Sequence, residues 1–266
     1  MTGNSSYAIG DSATVTGGAA DAYAIGTRAN ASADSALAMG KSASATAVGA
    51  TAVGLSAVAS SDNALAFGTG AQAAAVGAAA LGRGSTALGV NSTAVGSQSQ
   101  AVGAESTALG NNAQVTGAGQ NAVALGAGSV ADQANTVSVG SVGNERRMVN
   151  LAEGVDRTDA VNVGQLRDVE NALNDRMNIL QGTVLETRKE ARQGVAAAIA
   201  MTTAPMPSAP GRASWAMNLA TFKGEYAFGG SLAYRFDAPI PIALTAGYAY
   251  GGGKSHAARV GLQGEF

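Results

Sequence analysis

The sequence contains no cysteine, a single histidine and few aromatic side chains, and these absences restrict what the chain can be. Without cysteine it has neither a disulfide framework nor thiol chemistry. Nine of the twelve aromatic residues follow residue 213, so the first 200 residues cannot build an ordinary aromatic-rich core. All five prolines lie between residues 205 and 241. Composition therefore divides the chain into segments, and internal repeats are the first feature to seek.

Charge and long hydrophobic runs are also sparse. Only 13% of the residues are charged, the formal net charge is −2, and no block is strongly basic. Nucleic acid is therefore not expected as a partner. No apolar run reaches the roughly 18 residues that a transmembrane helix needs. The first residues do not form a signal peptide, which for an exported protein predicts a processed or truncated chain.

The sequence has instead a repeat through residue 140, in which alanine, an apolar residue and glycine follow one another. The first member is alanine in every unit but the last, which has Ser138. Successive glycines are mostly seven or fourteen positions apart, with pairs of nine and five and two spacings of sixteen. The glycines are Gly10, Gly26, Gly40, Gly49, Gly54, Gly68, Gly77, Gly82, Gly89, Gly96, Gly103, Gly110, Gly126 and Gly140.

Each unit predicts one short strand followed by a turn. Because alternate side chains of a strand point to opposite faces, Thr86 and Leu88 share one face while Ala87 points to the other. Glycine permits the sharp corner that follows. Two seven-residue units then make one coil of a parallel β-roll, with about nine coils over roughly 45 Å. The continuous alanine face predicts close approach to neighbouring chains.

Other interpretations of the repeat fit less well. A flexible linker would not keep so regular a spacing between its glycines. A calcium-binding roll needs a GGxGxD motif, which is absent. A polysaccharide-cleaving β-helix needs clustered carboxylates, whereas those before residue 140 are scattered. An ice-binding threonine ladder is conceivable, although the threonines form no unbroken array.

Residues 213–266 predict four short strands of alternating polarity. One parity is apolar and aromatic and the other is small or charged, which is typical of a transmembrane β-barrel with a polar lumen. Four strands cannot close a barrel, and open edges are not tolerated in hydrocarbon, so several chains must each contribute four. The predicted lipid-facing residues are Trp215, Leu219, Phe228, Leu232, Tyr234, Leu244, Tyr248, Leu262 and Phe266.

A charged segment with helical periodicity lies between the repeat and these strands. Residues 144–192 hold half of the chain's charged residues, and Thr158 or Asp159 is predicted to cap the helix that follows. Apolar residues at heptad positions, Leu166 and Leu173 among them, predict a short parallel coiled coil with an imperfect seam. Prolines stop the helix. Its end is predicted to thread a narrow pore because its residues are small, notably Gly194, Ala197, Ala198 and Ala200.

Three stretches resemble the YadA-like trimeric autotransporter adhesins. The sequence Asn-Ser-Thr-Ala-Val-Gly-Ser-Gln-Ser at residues 91–99 looks like the head repeat of that family. Residues 137–151, with Thr-Asp-Ala-Val-Asn at 158–162, resemble its neck. The helix, proline-rich link, four strands and terminal Phe266 resemble its membrane anchor, and the ending resembles the signal read by the barrel-assembly machinery.

The resemblance implies a mostly β homotrimer. It would have a left-handed parallel β-roll head (1–134), a neck (135–165), a short parallel coiled-coil stalk (166–193), and a pore helix with a four-stranded membrane anchor (194–266). Three chains would form a twelve-stranded transmembrane β-barrel. The resemblance further implies an adhesin in contact with outer-membrane lipid, with its head and stalk on the cell surface. Such a protein exports its own passenger and binds host extracellular matrix such as collagen, fibronectin or laminin, with autoagglutination as a second role.

Two residue sets are proposed as sites. Contacts between chains in the neck are predicted at Arg146, Arg147, Asp159 and Asn162, which offer donors and acceptors for ion pairs. The ligand surface of the head is predicted at Asn91, Ser92, Ser97 and Ser99.

Catalysis, metals and cofactors are not predicted. The stretch Gly253-Lys254-Ser255 echoes a phosphate-binding loop, but it is more typical of a hairpin between the third and fourth strands. The alternatives left open are a surface structural spike and an ice- or polysaccharide-binding roll without host adhesion, together with a β-helix hydrolase.

Overall fold

The computed structural model describes residues 5–16 and 18–265. The chain consists of two compact units, Met1–Val149 and Asn150–Phe266. Phe266, the last residue of the predicted lipid face, lies outside the described residues. The division between the units falls within the predicted neck.

The first unit is a parallel β-solenoid of two sheets. Odd-numbered strands form a ten-stranded sheet and even-numbered strands a nine-stranded sheet, so each coil contributes one strand to each. Partners in successive coils are fourteen positions apart, as in Ala80↔Ala94, except at two coils where they are sixteen apart, as in Ala8↔Ala24 and Ala108↔Ala124. The predicted parallel β-roll is confirmed, and its handedness stays a prediction.

The strands of this unit are β1 (Tyr7–Ile9), β2 (Thr14–Val15), β3 (Tyr23–Ile25), β4 (Asn30–Ala31), β5 (Leu37–Met39), β6 (Ser44–Ala45), β7 (Thr51–Val53), β8 (Val58–Ala59), β9 (Leu65–Phe67), β10 (Gln72–Ala73), β11 (Ala79–Leu81), β12 (Thr86–Ala87), β13 (Thr93–Val95), β14 (Gln100–Ala101), β15 (Thr107–Leu109), β16 (Gln114–Val115), β17 (Val123–Leu125), β18 (Val130–Ala131) and β19 (Val137–Ser138). The last of them lies beyond the predicted head boundary at residue 134.

The space between the two sheets holds alanine and little else. From β3 onward, the central residue of the three-residue strands is fully buried, as with Ala52 and Ala66. Where serine replaces alanine in this core, its hydroxyl bonds to a backbone oxygen, as from Ser85 Oγ to Gly82 O at 2.9 Å, which offsets the cost of burying it. The prediction that the alanine face meets neighbouring chains is wrong, because these methyl groups fill the inside of one chain.

A column of glycines forms the corner after the strands of the ten-stranded sheet. Gly68 has φ of 134°, and a Cβ added there would lie 2.5 Å from the carbonyl oxygen of Gly82 in the next coil. Backbone therefore stacks on backbone, and a side chain has no room. Two residues later, every corner from Gly10 to Gly126 has a left-handed position, which accepts residues as different as Ser56, Gln98 and Gly70.

The second unit consists of one long helix and a four-stranded antiparallel sheet. The elements are α1 (Val163–Ala200), β20 (Ala213–Phe222), β21 (Glu225–Arg235), β22 (Ile242–Tyr250) and β23 (His256–Gly264), with the strands paired in sequence order. The four predicted strands are confirmed, and α1 is unbroken across the predicted stalk and pore segments. In the described part of the chain, no helix combines the length and the apolar character needed to cross a membrane.

The helix begins after Asn162, whose Oδ1 accepts a hydrogen bond from the Gln165 backbone N–H at 3.0 Å. Gln165 Oε1 in turn accepts from the Asn162 backbone N–H at 3.3 Å, which completes a capping box. The prediction that Thr158 or Asp159 caps this helix is therefore wrong. Asp159 instead closes a turn of its own by accepting from two backbone N–H groups three and four residues earlier.

Candidate functional site

An apolar row runs along the outer face of the ten-stranded sheet. The third residues of successive strands lie in register, as in Leu81↔Val95 and Val95↔Leu109. A continuous exposed apolar row of this length is typical of an interface with another chain. We call this row the apolar ladder, and its exposed or half-buried members are Ile9, Ile25, Met39, Val53, Phe67, Leu81, Val95, Leu109 and Leu125.

The outer face of the nine-stranded sheet is mostly polar. The first residues of its strands also stack in register, as in Gln72↔Thr86 and Thr86↔Gln100. Because water solvates such side chains well, this face suits exposure more than burial between chains. We call it the polar row, and its members are Thr14, Asn30, Ser44, Val58, Gln72, Thr86, Gln100, Gln114 and Val130.

Only part of the predicted ligand surface is accessible. Asn91 is exposed at a corner of the solenoid, and Ser97 is half-buried. Ser92 and Ser99 are fully buried, and their hydroxyls donate to backbone oxygens inside the roll. The prediction that Ser92 and Ser99 face a ligand is wrong, because they occupy core positions that other coils fill with alanine.

Arg146 closes the last coil of the solenoid. Its Nη1 donates to Ser129 Oγ at 2.8 Å and to Val139 O at 2.6 Å, and its Nη2 donates to Ala127 O. At the end of a solenoid no further coil takes up such groups, and the rigid fork of a guanidinium can satisfy several of them at once. Arg146 thus has a role within its own chain, whereas the neighbouring Arg147 is exposed.

Two carboxylates in the same region are held by backbone N–H groups. Hydrogen bonds from the backbone N–H groups of Glu145 itself and of Gly143 hold the pKa of the Glu145 carboxyl below its ordinary value. The pKa of Asp159 is lowered in the same way, first by the N–H of Asp156 and then by that of Val155. Because both pKa values are lowered, any stability from these contacts is present at neutral pH and is lost as the pH falls through the lowered values.

The apolar seam of α1 has no partner within the described part of its own chain. Leu166, Leu173 and Leu180 recur every seven residues, and each is more than half exposed. A helix with such a seam is stable in water only when other helices cover it. The seam therefore favours a coiled coil between chains.

The end of α1 lies against the inner face of the four-stranded sheet. Ala196, Ala197 and Ala200 are buried there and form a cluster with Ala227 and Ala249. Two of the predicted pore residues, Ala197 and Ala200, thus face the sheet.

The other two predicted pore residues, Gly194 and Ala198, are exposed in a single chain. They continue the heptad positions of the seam, on the side of α1 that points away from its own sheet. Sequence reasoning missed Gln193, which is buried with the alanines. The available signal was its spacing, because residues three, four and seven positions apart share one face of a helix.

The predicted lipid face is exposed at each of its described residues, from Trp215 to Leu262. Leu219 is 84% exposed, whereas Ala233 and Thr245, which have the opposite parity, are buried. Contact of this face with lipid stays a prediction.

Aromatic side chains on the outer face form two bands. One band lies beside the two hairpin turns, and the other lies towards the opposite strand ends, where Trp215 pairs with Leu232. Transmembrane barrels have this pattern of an apolar band between aromatic girdles. The bands are Tyr226, Phe228, Tyr248 and Tyr250 near the turns, and Trp215, Tyr234 and Phe236 towards the other end.

Replacement of Leu232 by arginine tests this face. We expect Leu232→Arg to reduce insertion into the outer membrane, because a charge near the centre of the lipid face costs roughly 2–4 kcal/mol per chain. Leu232→Phe keeps the position apolar and should insert like the wild type. The amount of folded protein in isolated outer membranes is the measurement, and equal amounts for the two variants would contradict the assigned face.

Among the described residues, no three His, Cys, Asp or Glu side chains converge in a way that could hold a metal ion. His256 begins β23, and its Nδ1 lies 2.5 Å from the hydroxyl of Tyr248. Gly253, Lys254 and Ser255 lie in the hairpin between β22 and β23, as predicted.

Comparison with protein families identifies two matching regions. Residues 147–184 match the coiled stalk of trimeric autotransporter adhesins. Seven segments match the YadA head domain repeat, and all but the first overlap their neighbours: 18–43, 45–71, 59–85, 73–99, 87–113, 101–119 and 118–141. Together these matches cover more than half of the chain.

Individual proteins are similar over parts of the chain. The autotransporter adhesin NhhA of Neisseria meningitidis serogroup B (strain ATCC BAA-335 / MC58) is 35% identical over 115 residues, which is 40% of this chain and 18% of that protein. The crystal structure of the collagen-binding domain of the Yersinia adhesin YadA matches with a TM-score of 0.51 and 29% identity, over 57% of this chain and 84% of that domain. This chain thus spans less than a fifth of NhhA but most of the solved YadA domain.

Proposed function

We propose that this chain, which belongs to the YadA-like trimeric autotransporter adhesins, binds host extracellular matrix with its head, collagen first among the candidate ligands. The observation that carries the proposal is the match of 57% of this chain to most of the collagen-binding domain of YadA. The family is one of adhesins and not of enzymes. Fibronectin and laminin are the other matrix ligands to compare.

The working form is a homotrimer, in keeping with a stalk of the trimeric family. Two unpartnered apolar surfaces support this arrangement, the apolar ladder of the head and the seam of α1. We place the apolar ladder towards the trimer axis, which leaves the polar row outside. In the neck, the exposed Arg147 is the first candidate for ion pairs between chains, with Arg146, Asp159 and Asn162 as further contacts.

Three four-stranded sheets would close into a twelve-stranded barrel in the outer membrane. Closure would pair the open edges of β20 and β23 between neighbouring chains, because unpaired edges are not tolerated in hydrocarbon. The barrel would carry its aromatic bands against lipid, and Phe266 would be read by the barrel-assembly machinery. Gly194 and Ala198 would face the other two helices in the lumen, where small side chains leave room for three.

This arrangement also suggests how the head reaches the cell surface. The anchor would export its own passenger, and α1 would stay in the lumen when export is complete. We retain the segments 1–134, 135–165, 166–193 and 194–266 as head, neck, stalk and anchor.

The head would hold its ligand by many weak, repeated contacts. The polar row offers similar side chains at successive coils, and trimer symmetry would triple them. Later contacts to a long ligand are intramolecular, so avidity can add factors of roughly 10²–10⁴. A fibrous protein such as collagen can engage several coils at once, and the exposed Asn91 and the half-buried Ser97 lie among the accessible positions.

Deletion of whole coils tests this proposal. Removal of Gly82–Val95 or Gly54–Phe67 joins equivalent positions of successive coils, so register and fold should persist. We expect binding to immobilised collagen to fall stepwise as coils are removed one and then two at a time, because each deletion removes a few contacts. Binding of the full-length trimer to collagen, fibronectin and laminin is measured in parallel.

Controls separate loss of sites from loss of fold. Removal of Gly82–Leu88, half a coil, places each following strand in the wrong sheet and should unfold the head in circular dichroism. Complete loss of binding from a single well-folded deletion would indicate one localised site instead. A folded trimer that binds no matrix protein would favour a structural spike or a roll for ice or polysaccharide.

The oligomeric state is a separate prediction. Light scattering in detergent, corrected for bound detergent, should give a protein mass of three times the 25.9 kDa of one chain. The reason is that, within the part of one chain that the structure describes, neither the seam of α1 nor the outer edges of β20 and β23 are covered. A monomer or dimer would contradict the architecture.

A further inference from the structure

Gln193 differs from the residues around it on the buried face of α1. Of the four residues that α1 buries, Gln193 alone is polar, and it is 7% exposed. A primary amide costs free energy when it leaves water unless its hydrogen bonds are replaced. Alanine would fill this position without that cost, so the presence of an amide side chain here has to be explained.

The first reason is a hydrogen bond to one hairpin of the sheet. Gln193 Nε2 donates to Glu225 Oε2 at 3.1 Å, and Glu225 is the first residue of β21 after the turn from β20. A hydrogen bond to a carboxylate is stronger than one between neutral groups, and it fixes the position of both partners.

The second reason is the other hairpin, between β22 and β23, which approaches Gln193 with bare backbone. A Cβ on Gly251 would overlap the Gln193 carbonyl oxygen, and one on Gly252 would lie 3.0 Å from Gln193 Nε2. One helical turn earlier, Ser255 Oγ donates to the Glu190 carbonyl oxygen at 3.3 Å. Both hairpins therefore meet the helix at the same level, and the glycines there make room for this side chain.

We propose that Gln193 is a latch that holds α1 at one position between the two hairpins and keeps the pore closed once export is complete. This inference rests on the proposed function, because it assumes that three helices fill a barrel of three sheets. Apart from the bond between Ser255 and the Glu190 carbonyl oxygen, the helix meets the sheet mainly through alanine methyl groups, which have no directional bonds. The bond from Gln193 to Glu225 forms at one height only.

An exchange of the two partners tests the latch. In Gln193→Glu two carboxylates face each other, so the closed position is lost and the conductance of purified trimers in planar lipid bilayers should rise roughly tenfold or more. Adding Glu225→Gln to that variant restores a donor opposite an acceptor and should return the conductance towards the wild-type level. Gln181→Glu makes the same change at an exposed position of the same helix and should have no effect.

Each outcome decides the question. Unchanged conductance in Gln193→Glu, or no recovery in the double variant, would overturn the latch, since a role in packing alone does not depend on which partner carries the carboxylate. Should Gln193→Glu fail to assemble, recovery of assembly by Glu225→Gln supports the latch, and no recovery overturns it.

A control on the wild type separates the latch from the proposed function. Light scattering gives the oligomeric state of the wild type, and surface labelling shows whether its head is displayed. A wild type that is neither trimeric nor displayed would overturn the proposed function as well, whereas a displayed trimer without the conductance effect overturns the latch alone.

Discussion

A side chain at Gly68 should unfold the solenoid. In Gly68→Asn the new Cβ would lie 2.5 Å from Gly82 O, and φ of 134° is a region that residues other than glycine rarely adopt. Strain of this kind costs about 1–3 kcal/mol before the steric overlap is counted, so we expect a total loss on the order of 3 kcal/mol or more per chain. Denaturant unfolding of the full-length trimer, followed by circular dichroism, gives the change in free energy.

The same substitution two residues later provides the control. Gly70 has φ of 67°, and no atom lies within 4 Å of the Cβ that asparagine would add. Asparagine tolerates this conformation, and Asn112 holds the equivalent position in another coil with φ of 54°. Gly70→Asn should therefore unfold at the wild-type denaturant concentration. Equal unfolding midpoints for Gly68→Asn and Gly70→Asn would contradict the prediction. They would show that close stacking of backbone at the corner does not require glycine at position 68.

The period of the solenoid could be predicted from sequence because it is a property of the backbone. Every coil must bring its corner over the previous corner, so the glycines recur at a fixed spacing, and the two wider spacings mark longer coils. Which face lies inside was harder to predict. Alternation separates Ala94 from Thr93 and Val95, but it does not tell whether small or large side chains face inward. Here the sheets lie so close that alanine fills the gap, and the larger apolar residues are left outside.

At the candidate sites, too, the sequence pattern did not tell which side chains face inward or which residue caps the helix. Ser92 and Ser99 belong to the most consensus-like repeat, and their polarity favoured a position on the surface. However, each lies three residues after a corner glycine, where the side chain points into the core. A cap at Thr158 or Asp159 fitted the sequence as well as one at Asn162, because all three side chains accept hydrogen bonds. The choice depends on Gln165, whose amide bonds back to Asn162 and also to Gly154. Tertiary contacts of this kind have no periodic signature.

The strands of the proposed anchor were easier to predict, since large apolar residues alternate with small or polar ones, as they do in transmembrane barrels. The inward parity carries Ala227, Ala233 and Ala249, all buried. Their small size implies that something packs closely against them, and the alanine-rich end of α1 is the surface that covers Ala227 and Ala249. Small residues on two separate segments thus predict one tight interface, in which helix and sheet depend on each other.

A bulky residue in that interface should stop export. Ala197 is buried among the alanines of the sheet, and in Ala197→Trp the indole would have to displace β22 or β23. Overpacking of a tight site costs on the order of 1–3 kcal/mol, so we expect roughly a tenfold or greater fall in head displayed on the cell surface. Thr183→Trp places the same side chain about four helical turns earlier, on the same side of α1 but at an exposed position, and should leave display unchanged. Surface labelling of the head, normalised to the amount of protein in the outer membrane, is the measurement. Normal display of Ala197→Trp would mean that α1 does not have to fit beside the sheet for the head to reach the surface.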